Sequence, residues 1–161
     1  MVRALVQGSS SSDKSTIDKL ELWRETTDSW KKLTRKAETN LASIDIGIAE
    51  FRILKLLDES GRTVMARLSQ DTLLSQAAIT VIVDKLEEHD LVARIRSEVD
   101  RRSINIQITM KGRSLLKEAR KIHKRYVDQI LDALSDDELR ELHSIMSKLA
   151  RRSDSIPARE K

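Results

Sequence analysis

The sequence predicts a mainly α-helical chain interrupted by one small β-hairpin. Two observations carry this. Glycine (4) and proline (1) are scarce in 161 residues, and these are the residues that most strongly interrupt helices. Apolar residues recur every three or four positions along most of the chain, and only between residues 91 and 108 does the period drop to two.

Taken in order, residues 1–14 (MVRALVQGSSSSDK) hold a Gly-Ser run and read as a disordered tail. Ile17, Leu20, Trp23, Thr27, Trp30, Leu33, Ala37, Leu41 and Ile44 step by three or four, predicting a long amphipathic helix over roughly 16–43 within a 15–45 region. Ile48, Phe51, Ile53, Leu54, Leu56 and Leu57 predict a second helix ending at Ser60-Gly61. Thr63 is the expected N-cap of a short third helix carrying Val64, Met65 and Leu68. After a turn at Leu73-Leu74, Ser75 caps a fourth helix over 76–89, with Ile79, Ile82, Val83 and Leu86 as its apolar stripe. Its opposite face carries Gln76, Ala77, Thr80, Val81 and Asp84.

The period-two segment follows. Leu91, Ala93 and Ile95 alternate with Val92, Arg94 and Arg96, and Ile104, Ile106 and Ile108 alternate with Ser103, Asn105 and Gln107. The expectation is an antiparallel hairpin with those two apolar sets on its packed face. Thr109 caps a fifth helix over about 110–134, and Ser135-Asp-Asp-Glu138 is a capping box opening a sixth, with Leu139, Leu142, Ile145, Met146 and Leu149 as its stripe. Residues 153–161 read as a flexible C-terminal tail.

Composition narrows the function. With no cysteine, disulfides, thiolate metal ligands and thiol redox sensing are excluded. His89, His123 and His143 lie far apart, without metal-ligand spacing, so neither metal nor cofactor is expected. No nucleophile–base pair, glycine-rich phosphate loop or carboxylate pair suggests an enzyme, and no catalytic residue is assigned. No stretch is apolar enough to span a membrane, so a soluble cytoplasmic protein is expected. Charged residues reach 35% against 39% hydrophobic, so long helices with a single apolar stripe need a partner to cover them.

The net charge of +4 is local. Residues 94–113 contain six of the thirty Lys/Arg against Glu98 and Asp100, leaving twenty-four of each sign elsewhere. Such a concentration is the footprint of a polyanion-binding surface, although a charge run can also be a solvated face. The order helix, short helix, turn, capped helix, basic hairpin makes a helix-turn-helix with a wing. A helix about 10–12 Å across fits the DNA major groove when its outer side chains are small or hydrogen-bonding. Gln76, Ala77, Thr80 and Val81 present that kind of face, and Ser75 places backbone N–H groups where a phosphate could bind. Many surface helices carry such residues without function; the adjacent arginines distinguish this one.

QAAITVIVDKLEEHDLVARIRSEVDRRSINIQITMKG (76–112) resembles the winged helix of MarR-type transcriptional regulators. The matching features are T-x-x-V-D-x-L-E-x-x-x-L-V-x-R, the D-R-R of the wing and I-T-x-K-G; IAEFRILKLLDESG upstream and L-S-x-D-E-L-x-x-L at 134–142 resemble flanking helices of that family. The resemblance covers roughly residues 17–152. It implies a winged helix-turn-helix over 46–109, flanked by an N-terminal dimerisation helix at 15–45 and C-terminal dimerisation helices at 110–152. It further implies a homodimer on a pseudo-palindromic double-stranded DNA operator, with the fourth helix in the major groove. By position, Arg102 enters the minor groove and Asp100 orients it, because a narrow A·T-rich groove concentrates negative potential. Arg94, Arg96 and Arg101 are expected near phosphates; for Arg94 the alternative is an internal pairing with Asp84 or Glu87. The chain departs from the family at His89-Asp90, where a glycine is usual, and at Gly47, where Ser or Thr often caps the second helix.

Relatives that respond to small aromatic ligands bind them between the dimer helices and the winged helix, which would make Trp30, Phe51 and Tyr126 candidate pocket residues here. Packing within the core or a dimer competes with that reading for Trp23 and Trp30, and His123 and Tyr126 could share a surface or dimer-facing side of their helix. Repression of transcription with release by a small aromatic effector is the expected function. The rival is a helical interaction protein whose basic hairpin binds an acidic protein or RNA surface.

Overall fold

A computed structural model describes residues 17–96 and 104–157. The order is α1 (Lys19–Ala42), α2 (Ile48–Ser60), β1 (Thr63–Val64), α3 (Met65–Thr72), α4 (Gln76–Glu88), β2 (Val92–Arg96), β3 (Ile104–Ile108), α5 (Met110–Leu131) and α6 (Asp136–Asp154). The chain divides into two compact units at Arg35–Lys36, inside α1. In the first unit, Leu20, Leu22, Trp23 and Trp30 are exposed.

The second unit is built on a core of Leu41, Ile46, Phe51, Ile53, Leu54, Leu57, Leu68, Ile79, Val83, Leu86, Ile106, Ile108 and Leu116. The helix starts follow local chemistry. Ser75 Oγ accepts from the Ala78 N–H at 3.2 Å, and Thr109 Oγ1 accepts from the Gly112 N–H at 3.0 Å. Ser135 and Glu138 exchange hydrogen bonds, as a capping box requires. Gly47 caps α2 without a side chain, and the Glu50 carboxylate supplies half of the box by accepting from the Gly47 N–H at 2.6 Å. Asp90 takes φ +58°, the left-handed turn for which a glycine is usual. Leu73 does the same at the end of α3 (φ +58°), although its side chain is almost fully exposed.

Two expectations are corrected. Thr63 does not cap α3: it is buried in β1, paired with Ile106, and the residue at the cap position is Val64, whose side chain makes no capping bond. A β-branched residue in extended backbone serves a strand as readily as a cap, and its strand partner is remote in sequence. The three strands run in the order β1-β3-β2, so the hairpin belongs to a small antiparallel sheet.

The second correction concerns the packed face of β2. The register pairs Val92 with Ile108, Arg94 with Ile106 and Arg96 with Ile104. Cross-strand partners share a face. The expected packed set on β3 (Ile104, Ile106, Ile108) therefore faces the same way as Val92, Arg94 and Arg96, not Ala93 and Ile95. Leu91 is buried but precedes the strand. Arg94 occupies the inner face because α4 supplies carboxylates for it there.

Candidate nucleic-acid interface

The hydrophobic stripe of α4 fixes which side chains it shows to solvent. Ile79, Val83 and Leu86 are buried and Ile82 is partly buried, so Gln76, Ala77, Thr80, Val81 and Asp84 lie on the exposed side. Ser75 is also exposed, at the helix N-terminus. The structure thus brings together on one accessible surface the five α4-region residues predicted from sequence.

Charge on this helix is managed by its neighbours. Arg94, half-buried on β2, donates to both Asp84 and Glu87 of α4. These bonds to two carboxylates raise its already high pKa further, against the opposing effect of burial. The internal pairing that the sequence offered for Arg94 is therefore present, and its guanidinium ties β2 to α4. Toward α2, the exposed Lys85 places its Nζ 2.6 Å from Glu50 Oε1, and Glu50 is buried at the start of α2. That bond raises the Lys85 pKa. Glu50 therefore ties the N-terminus of α2 to α4, with Gly47 and Lys85 sharing its two oxygens. Arg96 is exposed at the outer end of β2. Asp100, Arg101 and Arg102 lie outside the described residues.

Behind this surface α5 is anchored closely. A Cβ on Gly112 would sit 2.1 Å from the Leu91 carbonyl oxygen and 2.8 Å from Ile108 Cγ1, so glycine alone lets α5 meet the end of the sheet. Thr109 Oγ1 donates to the Asp90 carbonyl at 2.7 Å, fastening the start of α5 to the α4–β2 turn. Asp58 on α2 accepts from Arg113 at 2.7 Å and Arg120 at 2.9 Å. Sequence reasoning missed this Asp58 cluster and the Glu50–Lys85 pair, because nothing local links such distant residues.

Of the candidate pocket residues, Phe51 belongs to the core, with its ring 5.2 Å from that of His123. Trp30 is exposed in the first unit, and Tyr126 is partly buried on α5. His123 was expected on a surface or dimer face, but packing on Phe51 draws it partly into the fold. Burial, then Lys55 and Arg52, hold its pKa below the usual histidine value. Among the described residues no group of His, Asp and Glu is arranged to hold a metal ion, and no helix is long and apolar enough to cross a membrane.

Residues 46–104 match the family model described as the MarR family. The chain is 37% identical over 90 residues to the HTH-type transcriptional regulator MhqR of Bacillus subtilis, a match covering 56% of this chain and 62% of that protein. It is 35% identical over 100 residues to the uncharacterized HTH-type transcriptional regulator YpoP of the same organism, covering 62% of this chain and 71% of that protein. The crystal structure of the transcriptional regulator BldR from Sulfolobus solfataricus superposes with a TM-score of 0.69 at 32% identity, over 81% of this chain and 95% of that one.

Proposed function

The chain belongs to the MarR family, and on that premise we propose that it is a cytoplasmic, homodimeric, sequence-specific regulator of transcription that binds double-stranded DNA and acts as a repressor. One observation carries this reading: α4 holds Gln76, Ala77, Thr80 and Val81 in the open beside an arginine-bearing β-ribbon, while its other face is locked into the core. In a DNA complex α4 lies in the major groove, and its capped N-terminus at Ser75 faces the backbone. Arg96 and Arg101 approach phosphates, and Arg102, oriented by Asp100, enters the minor groove of the flanking A·T-rich segment. Arg94 acts as a brace and makes no phosphate contact of its own. Glu50 and Asp58 serve as the corresponding anchors on α2.

The second copy is required by the outer helices. α6 has no buried residue and exposes Leu142, Ile145, Met146 and Leu149. These side chains need a cover, and a two-fold partner also supplies the second half-site reader. A small aromatic effector would release such a dimer only by preferring a state whose two α4 helices no longer match adjacent grooves.

Selecting bound duplexes from a random pool with the purified protein tests the reading. The expected result is a pseudo-palindrome with half-site centres about 10–10.5 base pairs apart, or a multiple of that spacing. Enrichment of no sequence, or displacement of every selected duplex by single-stranded RNA in a competition assay, would overturn it.

A further inference from the structure

Resting on that DNA-binding reading, we propose that α4 recognises its half-site chiefly through thymine 5-methyl groups, with Val81 as the principal reader and Ala77 and Thr80 extending the same apolar strip. Val81 is a large apolar side chain left 69% exposed on a helix whose other large apolar residues, Ile79, Ile82, Val83 and Leu86, are buried or partly buried. Position 77 neighbours both 80 and 81 on the helix surface, three and four residues on. The Thr80 hydroxyl donates to the Gln76 carbonyl at 2.9 Å, so its one proton is used inside the helix, leaving a methyl group and acceptor lone pairs for a ligand.

Two described cations on and beside α4 that could read guanine are paired within the fold. Lys85 is the only basic residue in α4, and it is held by the buried Glu50. Arg94 on the neighbouring strand is held by Asp84 and Glu87. The bidentate arginine–guanine contact, the commonest specific one in the major groove, thus has no donor on this helix. Of the groups that base pairs show there, only the thymine methyl is apolar, and it complements an exposed valine. Gln76 adds an amide able to pair with adenine N6 and N7. The strip and the amide both favour A·T pairs beneath α4.

The test replaces each thymine of the selected half-site, in turn, by deoxyuridine, which removes the methyl and leaves pairing and charge intact. At the thymine facing Val81, affinity of the full-length protein should fall about four-fold, the worth of one buried methyl-sized group. Val81→Ala should bind the unmodified duplex more weakly and lose most of the thymine–deoxyuridine discrimination, and Thr80→Ser should do the same at its own thymine. Circular dichroism of both variants should be unchanged, since both sites are exposed. Equal affinity for thymine and deoxyuridine duplexes, with preference over random DNA retained, would overturn the methyl reading and leave the DNA-binding reading standing. Half-sites of G·C pairs beneath α4 would do the same. Loss of all duplex preference in the unaltered protein would overturn both.

Discussion

Two amphipathic helices of this protein, α4 and α6, are treated differently by the fold. Each carries an apolar stripe and each opens with a serine cap. The thirteen residues of α4 bury Ile79, Val83 and Leu86 completely or nearly so. The nineteen residues of α6 bury nothing, and Ile145 and Met146 each remain 49% exposed. The same sequence pattern therefore has two meanings. In α4 the stripe is satisfied by the chain itself, so its polar face is free to meet another molecule. In α6 the stripe stays exposed among the described residues, and under the proposed function it is the surface that a second chain covers. With 39% hydrophobic content in 161 residues, the described residues close their core around the winged helix.

The largest effect expected from breaking this contrast is at Ile145. Ile145→Asp should weaken self-association by about 1.5–3 kcal/mol per subunit, the value of a buried isoleucine, while leaving helix content near that of the unaltered protein. Sedimentation velocity across a concentration series reads the difference. A monomer–dimer balance unmoved by the substitution would remove α6 from the interface.

Next in size is Gly112→Ala. The added methyl meets the Leu91 carbonyl, a backbone atom that cannot step aside, so the winged-helix unit should lose about 3 kcal/mol in urea unfolding. A loss below about 0.5 kcal/mol would show that α5 and the sheet end separate easily.

Arg94→Ala sharpens the contrast within the exposed α4–β2 surface. It strands Asp84 and Glu87, each partly exposed, and should lower stability by about 1–2 kcal/mol. It should also weaken DNA binding without reducing the salt dependence of that binding, because a brace makes no phosphate contact. A salt slope lower by about one would instead give Arg94 a phosphate of its own.

The smallest effect is the pH response of His123. Its pKa in the fold is held below the ordinary value, mainly by burial, then by Lys55 and Arg52. Between the two values the unfolded chain binds more protons, so stability rises with pH in that window. It is fully present above about 6.5 and declines as acid is added through that value. His123→Phe should flatten this decline in urea titrations at several pH values; an unchanged slope would assign it to other groups.

What could be read from the sequence was whatever is decided locally. Ser75, Thr109 and Ser135 were legible as caps because the cap and the N–H it serves lie within three residues. Asp90 was legible as a left-handed turn for the same reason. The exposed face of α4 followed from helical period alone. The face of β2 was not legible, because alternation marks two faces without saying which one meets the core. An arginine whose charge is met by Asp84 and Glu87 can occupy the inner one. Nor was β1, a two-residue strand identified only by its distant partner β3. The bonds from Asp58 to Arg113 and Arg120 span 55 and 62 positions, and only the tertiary arrangement pairs them. His123 lay in the same category: a helix-surface position became half-buried once α5 settled against Phe51.

In the proposed function two chains grip one duplex through α4 and the basic ribbon. The direct measurement is the mass of the complex on a selected duplex, followed by its affinity across a salt series. Two protein chains should bind per duplex, with affinity falling by roughly 10³–10⁵ between 50 and 200 mM salt if six to ten phosphates are contacted. A single chain per duplex, or an affinity indifferent to salt, would contradict it.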